Sequence, residues 1–150
     1  MEIRRATGAD AAGVYELNNL FNGAGWTTLE QMRQSLETNT GEIVLVALDG
    51  ETYIGFCCCA VIRSACYAEP YCELTEIYVR EEYRKSGIGT ALTSSMESEC
   101  KSLGINHFHL AIAFDNIKFR GMCEKLGYEQ TAYFYEKSTS DIWITPPYSL

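Results

Sequence analysis

The residues of this 150-residue chain best suited to chemistry are a short run, Arg84, Lys85, Ser86, Gly87, Ile88, Gly89, Thr90 and Ala91, where a strand pattern gives way to a helical one. Glycines let backbone amides approach a ligand closely, and the unpaired amides at a helix start favour phosphate. Arg84 and Lys85 add cationic donors beside them, so the turn is shaped for a phosphate or pyrophosphate. Two better-known phosphate loops do not fit. A P-loop ends in Gly-Lys-Ser/Thr, whereas Gly89 precedes Thr90 and Ala91, and the third glycine of a dinucleotide fingerprint falls on Leu92. The competing reading is a glycine turn that only packs a helix on a strand, and two glycines alone do not separate the two.

Other reactive side chains carry less. His107 and His109 alternate with Phe108 and Leu110 and share a strand face, but no third metal ligand lies near them in sequence. Cys57, Cys58 and Cys59 sit mid-strand without the CxxC spacing, and Cys66 and Cys72 flank a loop. No metal is expected.

The elements that must hold the turn follow from periodicity. Residues 3–6 read as a strand. Thr7 and Asp10 resemble a capping box before a helix carrying Val14, Leu17, Leu20 and Phe21. Thr27 and Glu30 suggest a second box, ahead of Leu29, Met32 and Leu36. Residues 43–48 and 53–62 form a hairpin around Asp49 and Gly50, and residues 72–79 make a third long strand. Ile88, Leu92, Met96, Cys100 and Leu103 mark the helix after the turn, stopped by Gly104. A strand over 107–113, a short helix from Ile117 to Leu126 ended by Gly127, and strands at 128–137 and 141–144 complete a mixed α/β order.

Composition bounds the rest. The apolar fraction of 47% and charged fraction of 21% are those of a folded globule, and 150 residues without a linker-like stretch read as one domain. No apolar run reaches the ~20 residues that span a bilayer, and the first ten residues lack the apolar core of a secretory signal. Seven cysteines, an odd number, fit a reducing cytoplasm better than a disulfide framework. A net charge of −8 argues against nucleic acid and anionic membrane as partners. The charge is also uneven. Residues 1–79 hold eleven acids against four bases, whereas residues 80–150 hold nine against eight.

The stretch from Val79 through Arg84, Gly87, Gly89 and Leu92 resembles the acetyl-CoA signature of the GNAT superfamily of N-acetyltransferases. Asn116 and, further on, Glu124, Lys125, Leu126, Gly127 and Tyr128 resemble its downstream segment at the expected distance. The resemblance implies one GNAT acyl-CoA N-acyltransferase domain over residues 1–150, α/β, with a mixed, mostly antiparallel central sheet flanked by helices. It implies acetyl-CoA as co-substrate, with the pyrophosphate on Arg84, Lys85, Ser86, Gly87, Ile88, Gly89 and Thr90. The strand Glu76, Ile77, Tyr78 and Val79 would meet the pantetheine with its backbone, an amide near Ile77 or Tyr78 would polarise the thioester carbonyl, and Asn116 would face the pantetheine arm.

Such a reaction needs a group to take the proton of the attacking amine. Glu76 is the first candidate and Glu73 the second. Three apart on an ideal strand, they point to opposite faces, so only one faces the cleft unless a bulge intervenes. A cleft-facing glutamate that only attracts a cation, leaving the proton to water, is an equal alternative. The tyrosine many relatives use to protonate the leaving thiolate falls on Cys123, which leaves that acid open; Tyr133 and Tyr135 are further candidates.

Residues 74–79 with Glu82, Tyr83 and Arg84 also resemble aminoglycoside 6′-N-acetyltransferases, although the acids expected at two of their positions fall on Thr75 and Ala111. The acidic N-terminal half would attract a small, multiply charged amine, an aminoglycoside among them, with Trp26, Tyr67 and Tyr71 as stacking partners. A peptide N-acetyltransferase and a non-catalytic CoA-binding module are the alternatives. A homodimer through the aromatic tail 128–148 is the assembly the resemblance suggests.

Overall fold

Alternating apolar strands and amphipathic helices assemble as that order requires in the computed structural model, which describes residues 1–113, 115–135 and 137. The chain divides into two compact units, Met1–Leu110 and the residues from Ala111 onward. In the first, β1 (Glu2–Arg5), α1 (Ala11–Asn22), α2 (Leu29–Thr38), β2 (Glu42–Asp49), β3 (Thr52–Ile62), β4 (Tyr71–Val79), α3 (Ile88–Ser102) and β5 (Phe108–Leu110) follow one another. The sheet order is β1-β2-β3-β4-β5; β1 to β4 pair antiparallel and β5 runs parallel to β4. No helix among the described residues is long and apolar enough to cross a membrane.

Each face of the sheet buries its own apolar set. Val14, Leu17 and Phe21 of α1, with Met32 and Leu36 of α2, pack on Val44, Val46, Leu48, Phe56, Cys58 and Tyr78. On the other face Ile88, Leu92, Met96 and Cys100 of α3 cover Ile43, Leu45, Ala47, Cys57, Cys59 and Cys72. Gly55 makes the close approach of α3 feasible, since a Cβ there would stand 2.8 Å from the Tyr78 carbonyl and 3.3 Å from a Leu92 methyl.

The N-terminus of α1 is fixed by a buried carboxylate. Asp10, 2% exposed, accepts two hydrogen bonds from Arg4 (2.7 and 2.9 Å), one from the Tyr53 hydroxyl (2.7 Å) and two from Thr7. The second capping box is one residue later than its sequence spacing suggests. Thr28 and Gln31, not Thr27 and Glu30, exchange the reciprocal bonds at 2.9 and 3.2 Å. Both pairs satisfy the same pattern, and only the backbone conformation chooses between them.

The second unit contains α4 (Ile117–Lys125), capped by Asn116. Residues 128–135 are not in a strand, although their alternation of aromatic and polar side chains suits one. β5 is likewise shorter than the expected 107–113 strand. The strand expected at 141–144, and the aromatic tail beyond residue 137, lie outside the described residues.

Candidate functional site

The segment between β4 and α3 has the build of an anion cradle. After a 3-10 turn at Glu81–Tyr83, Arg84 is extended, and Lys85 and Gly87 take the left-handed conformation at φ 64° and 85°. Lys85 is the only non-glycine residue with positive φ among the described residues. Nothing lies within 4 Å of where a Gly87 Cβ would stand, so it is the conformation that favours glycine there. The Ser86 hydroxyl donates to the Tyr83 carbonyl, and Arg84 Nε donates to the Val79 carbonyl at 3.0 Å, pinning both ends of the turn. Among the described residues, the amides of residues 85–90 have no protein acceptor; the first helical bond in the turn is Ala91 N–H to the Gly87 carbonyl at 2.9 Å. Successive free amides in such a turn, at the positive end of a 15-residue helix, form a nest for an anion.

The strand leading into the turn carries the acids. β3 and β4 pair Cys58 with Glu76 but Cys59 with Leu74, so Thr75 is the extra residue of a β-bulge. Its hydroxyl donates to the Cys58 carbonyl at 3.3 Å. The bulge corrects the expectation that Glu73 and Glu76 face opposite ways: Glu73 stands opposite Ala60 and Glu76 opposite Cys58, and those two residues share a face of β3. Both glutamates therefore lie on the sheet face that carries α1 and α2. A third carboxylate, Glu42, joins them from β2, paired to Ala60 from the other side. Glu42, Cys58 and Glu76 have ligand atoms within 4.8 Å of one another. Burial, and then the charge of Glu76, pushes the Glu42 carboxyl above its usual range. Sequence spacing does not find Glu42, because it meets Glu76 only through the register of three strands.

The remaining candidates separate. Ile77 and Val79 pack toward α3, while Tyr78 is buried against Phe21 and Phe56 with the Arg84 guanidinium 5.5 Å from its ring centroid. On the β5 side, β4 is paired only at Cys72, Glu73 and Leu74; from Thr75 to Val79 that edge carries no strand among the described residues. Tyr71 lies on the face of Glu73, its ring 4.5 Å from that of His109, which pairs with Glu73 in register. Trp26 is exposed in the α1–α2 loop, its indole N–H bonded to the Asn22 carbonyl at 2.8 Å, and Tyr67 is exposed in the β3–β4 loop. A shallow cavity of about 390 Å³ lined by Ile3, Arg5, Leu45, Ser94 and Ser98 opens toward α3 and includes none of the candidates.

In the second unit, Asn116 is half-buried, and its side-chain oxygen accepts the Phe119 amide at 3.2 Å. Cys123 is buried, and desolvation pushes its thiol up to about 11. Tyr133 and Tyr135 are exposed.

Residues 11–128, across both units, match the acetyltransferase (GNAT) family. The chain belongs to the GNAT acetyltransferase family. An aminoglycoside N(6′)-acetyltransferase type 1 of Stenotrophomonas maltophilia is 29% identical over 137 residues, covering 86% of each chain. Among solved structures, an apo aminoglycoside antibiotic 6′-N-acetyltransferase from Acinetobacter haemolyticus superposes with a TM-score of 0.74 at 23% identity, covering 93% of this chain and 99% of that one. An aminoglycoside acetyltransferase from an uncultured soil metagenomic sample, solved with sisomicin, gives 0.75 at 17% identity over 92% and 96%. These structural likenesses extend the fold across nearly the whole chain.

The GNAT assignment gives the geometry its chemistry, which is N-acetyl transfer. The amides of residues 85–90 are free to meet an anion, the unpaired β4 edge offers backbone donors and acceptors, and Glu73 and Glu76 of β4 share a sheet face with Glu42 of β2.

Proposed function

We propose that the chain is an acetyl-CoA-dependent N-acetyltransferase whose acceptor is a small amine carrying several positive charges, an aminoglycoside being the foremost candidate. The observation that carries the acceptor class is the set of carboxylates on one sheet face, Glu73 and Glu76 on β4, the strand that leads directly into the free-amide turn, and Glu42 on β2. Burial, and after it the nearby charge of Glu76, raises the cost of keeping Glu42 ionised. A polycation relieves it, whereas an acidic acceptor adds to it.

The donor fits the turn. Acetyl-CoA supplies the acetyl group as a thioester and carries a pyrophosphate, which suits the six free amides at 85–90 with Arg84 and Lys85 beside them. Ile77, Tyr78 and Val79 offer backbone along the unpaired edge, and an N–H of Ile77 or Tyr78 would carry charge developing on the carbonyl oxygen. Glu76 takes the proton of the attacking ammonium, directly or through water, while Glu73 and Glu42 hold the acceptor's other cationic groups. Tyr71, Tyr67 and Trp26 furnish aromatic surface for a sugar ring or an ammonium group. The downstream motif with Asn116 completes the family's pattern.

The test is free-thiol release from acetyl-CoA against aminoglycosides, polyamines, amino acids and short peptides, with product masses recorded. Release with the polycationic class, giving a product one acetyl group heavier, supports the reading. Release only with neutral or acidic acceptors overturns the acceptor class, and no release with any amine overturns the activity.

A further inference from the structure

Away from the acidic face, the opposite core holds three thiols in contact. Cys59 of β3, Cys72 of β4 and Cys100 of α3 are each no more than 1% exposed, and their sulfurs lie within 4.8 Å of one another. The Cys72 thiol donates to Cys100 Sγ at 2.9 Å, closer than two sulfurs stand in ordinary van der Waals contact. Cys72 opens β4 beside the β3–β4 loop, and Cys100 is in the last turn of α3, which ends at Ser102. Among the described residues, no carboxylate or histidine joins the three sulfurs in the cluster.

From this contact we propose that Cys72 and Cys100 form a redox-closable pair, joined by a disulfide when a water-sized peroxide reaches them. The inference is independent of the acceptor reading. Cys100 is the attacking sulfur. The thiols of Cys59 and Cys72 donate hydrogen bonds to it and bring it down to about 7, while burial pushes Cys72 up to about 12. The Cys100 thiolate attacks one peroxide oxygen, and the O–O bond breaks. A sulfenic acid forms, and the departing hydroxide takes a proton to become water. The Cys72 sulfur then attacks Cys100 Sγ, its proton leaving with the expelled hydroxyl as a second water. Two thiols lose two electrons and two protons, and one peroxide becomes two waters.

The consequence is topological. The bond would close a loop between positions 28 apart, and that loop contains Glu73, Glu76, the unpaired β4 edge and the whole anion-holding turn. Oxidation would therefore tie the start of the acid-bearing strand to the far end of the turn's helix.

The experiment uses the full chain with Cys66→Ser, which removes the exposed thiol and with it links between molecules. One equivalent of hydrogen peroxide is expected to lower the intact mass by two hydrogens and to link the peptides containing Cys72 and Cys100. Melting temperature should rise by about 5–10 °C, reversibly with dithiothreitol. Cys59→Ser should leave this link in place, and Cys100→Ser or Cys72→Ser should abolish it. Thiols that stay intact under excess peroxide overturn the proposal. So does a link between any other pair, or oxidation that dithiothreitol cannot reverse.

Discussion

Glu73 and Glu76 stand on the same face of β4, although three residues apart, because Thr75 is bulged out of the ladder between them. A regular strand would aim one of them at α3 and its apolar core, where an unpaired carboxylate costs several kcal/mol. The bulge keeps both on the face that Glu42 shares, with Glu76 close to the Glu42 carboxylate.

Glu76→Gln keeps the size and removes the proton acceptor. Turnover at pH 7 should fall about 100-fold, and the deficit should narrow above pH 9, where the amine is already free. Steady-state rates across pH 6–10 check it; an equal loss at every pH assigns Glu76 to acceptor binding instead.

Glu42→Gln should separate binding from folding. The Glu42 carboxyl is raised in the folded state, so it binds its proton more tightly there than in the unfolded chain. Its favourable share is complete below the unfolded carboxyl's pKa and is lost as pH rises through the folded one. The variant should therefore be at least as stable as the parent at pH 7, with a KM for a polycationic acceptor about 10-fold higher. Chemical denaturation and acceptor titration read the two effects.

Gly89→Glu sets a carboxylate beside the free amides of residues 85–90, the proposed pyrophosphate site. Acetyl-CoA affinity should drop at least about 10-fold with little change in melting temperature. Calorimetric titration checks this, and unchanged affinity contradicts the turn's assignment.

Asp10→Asn leaves Arg4 and Tyr53 facing a neutral amide and should cost about 3 kcal/mol. The Arg4 guanidinium holds the Asp10 carboxyl well below its usual value of 3.8. Its contribution is thus complete above that pH and fades as pH falls through the lower folded value. Urea unfolding at pH 7 and pH 3 should show a smaller difference between parent and variant at the lower pH.

Periodicity finds what depends on local pattern. The strands at β2, β3 and β4, the helix after Gly87 and the glycine turn follow from side-chain alternation and chain punctuation. Features that depend on pairing across strands escape it. Thr75 looks like any strand residue, since a bulge inserts one residue without a compositional mark. Glu42 reaches Glu76 through the register of β2, β3 and β4, and the thiols of Cys59, Cys72 and Cys100 converge from three separate elements. The aromatic alternation from Tyr128 to Tyr135 misleads in the opposite direction, because alternation alone does not make the ladder of hydrogen bonds that defines a strand.

The most direct test of the acceptor site is a competition. An aminoglycoside and glutamate at equal concentration share a limiting amount of acetyl-CoA, and product masses are counted. The carboxylate face predicts the added acetyl group on the aminoglycoside at least about 100-fold more often than on glutamate. Equal labelling, acetylglutamate as the main product, or acetyl-CoA left unconsumed would contradict it.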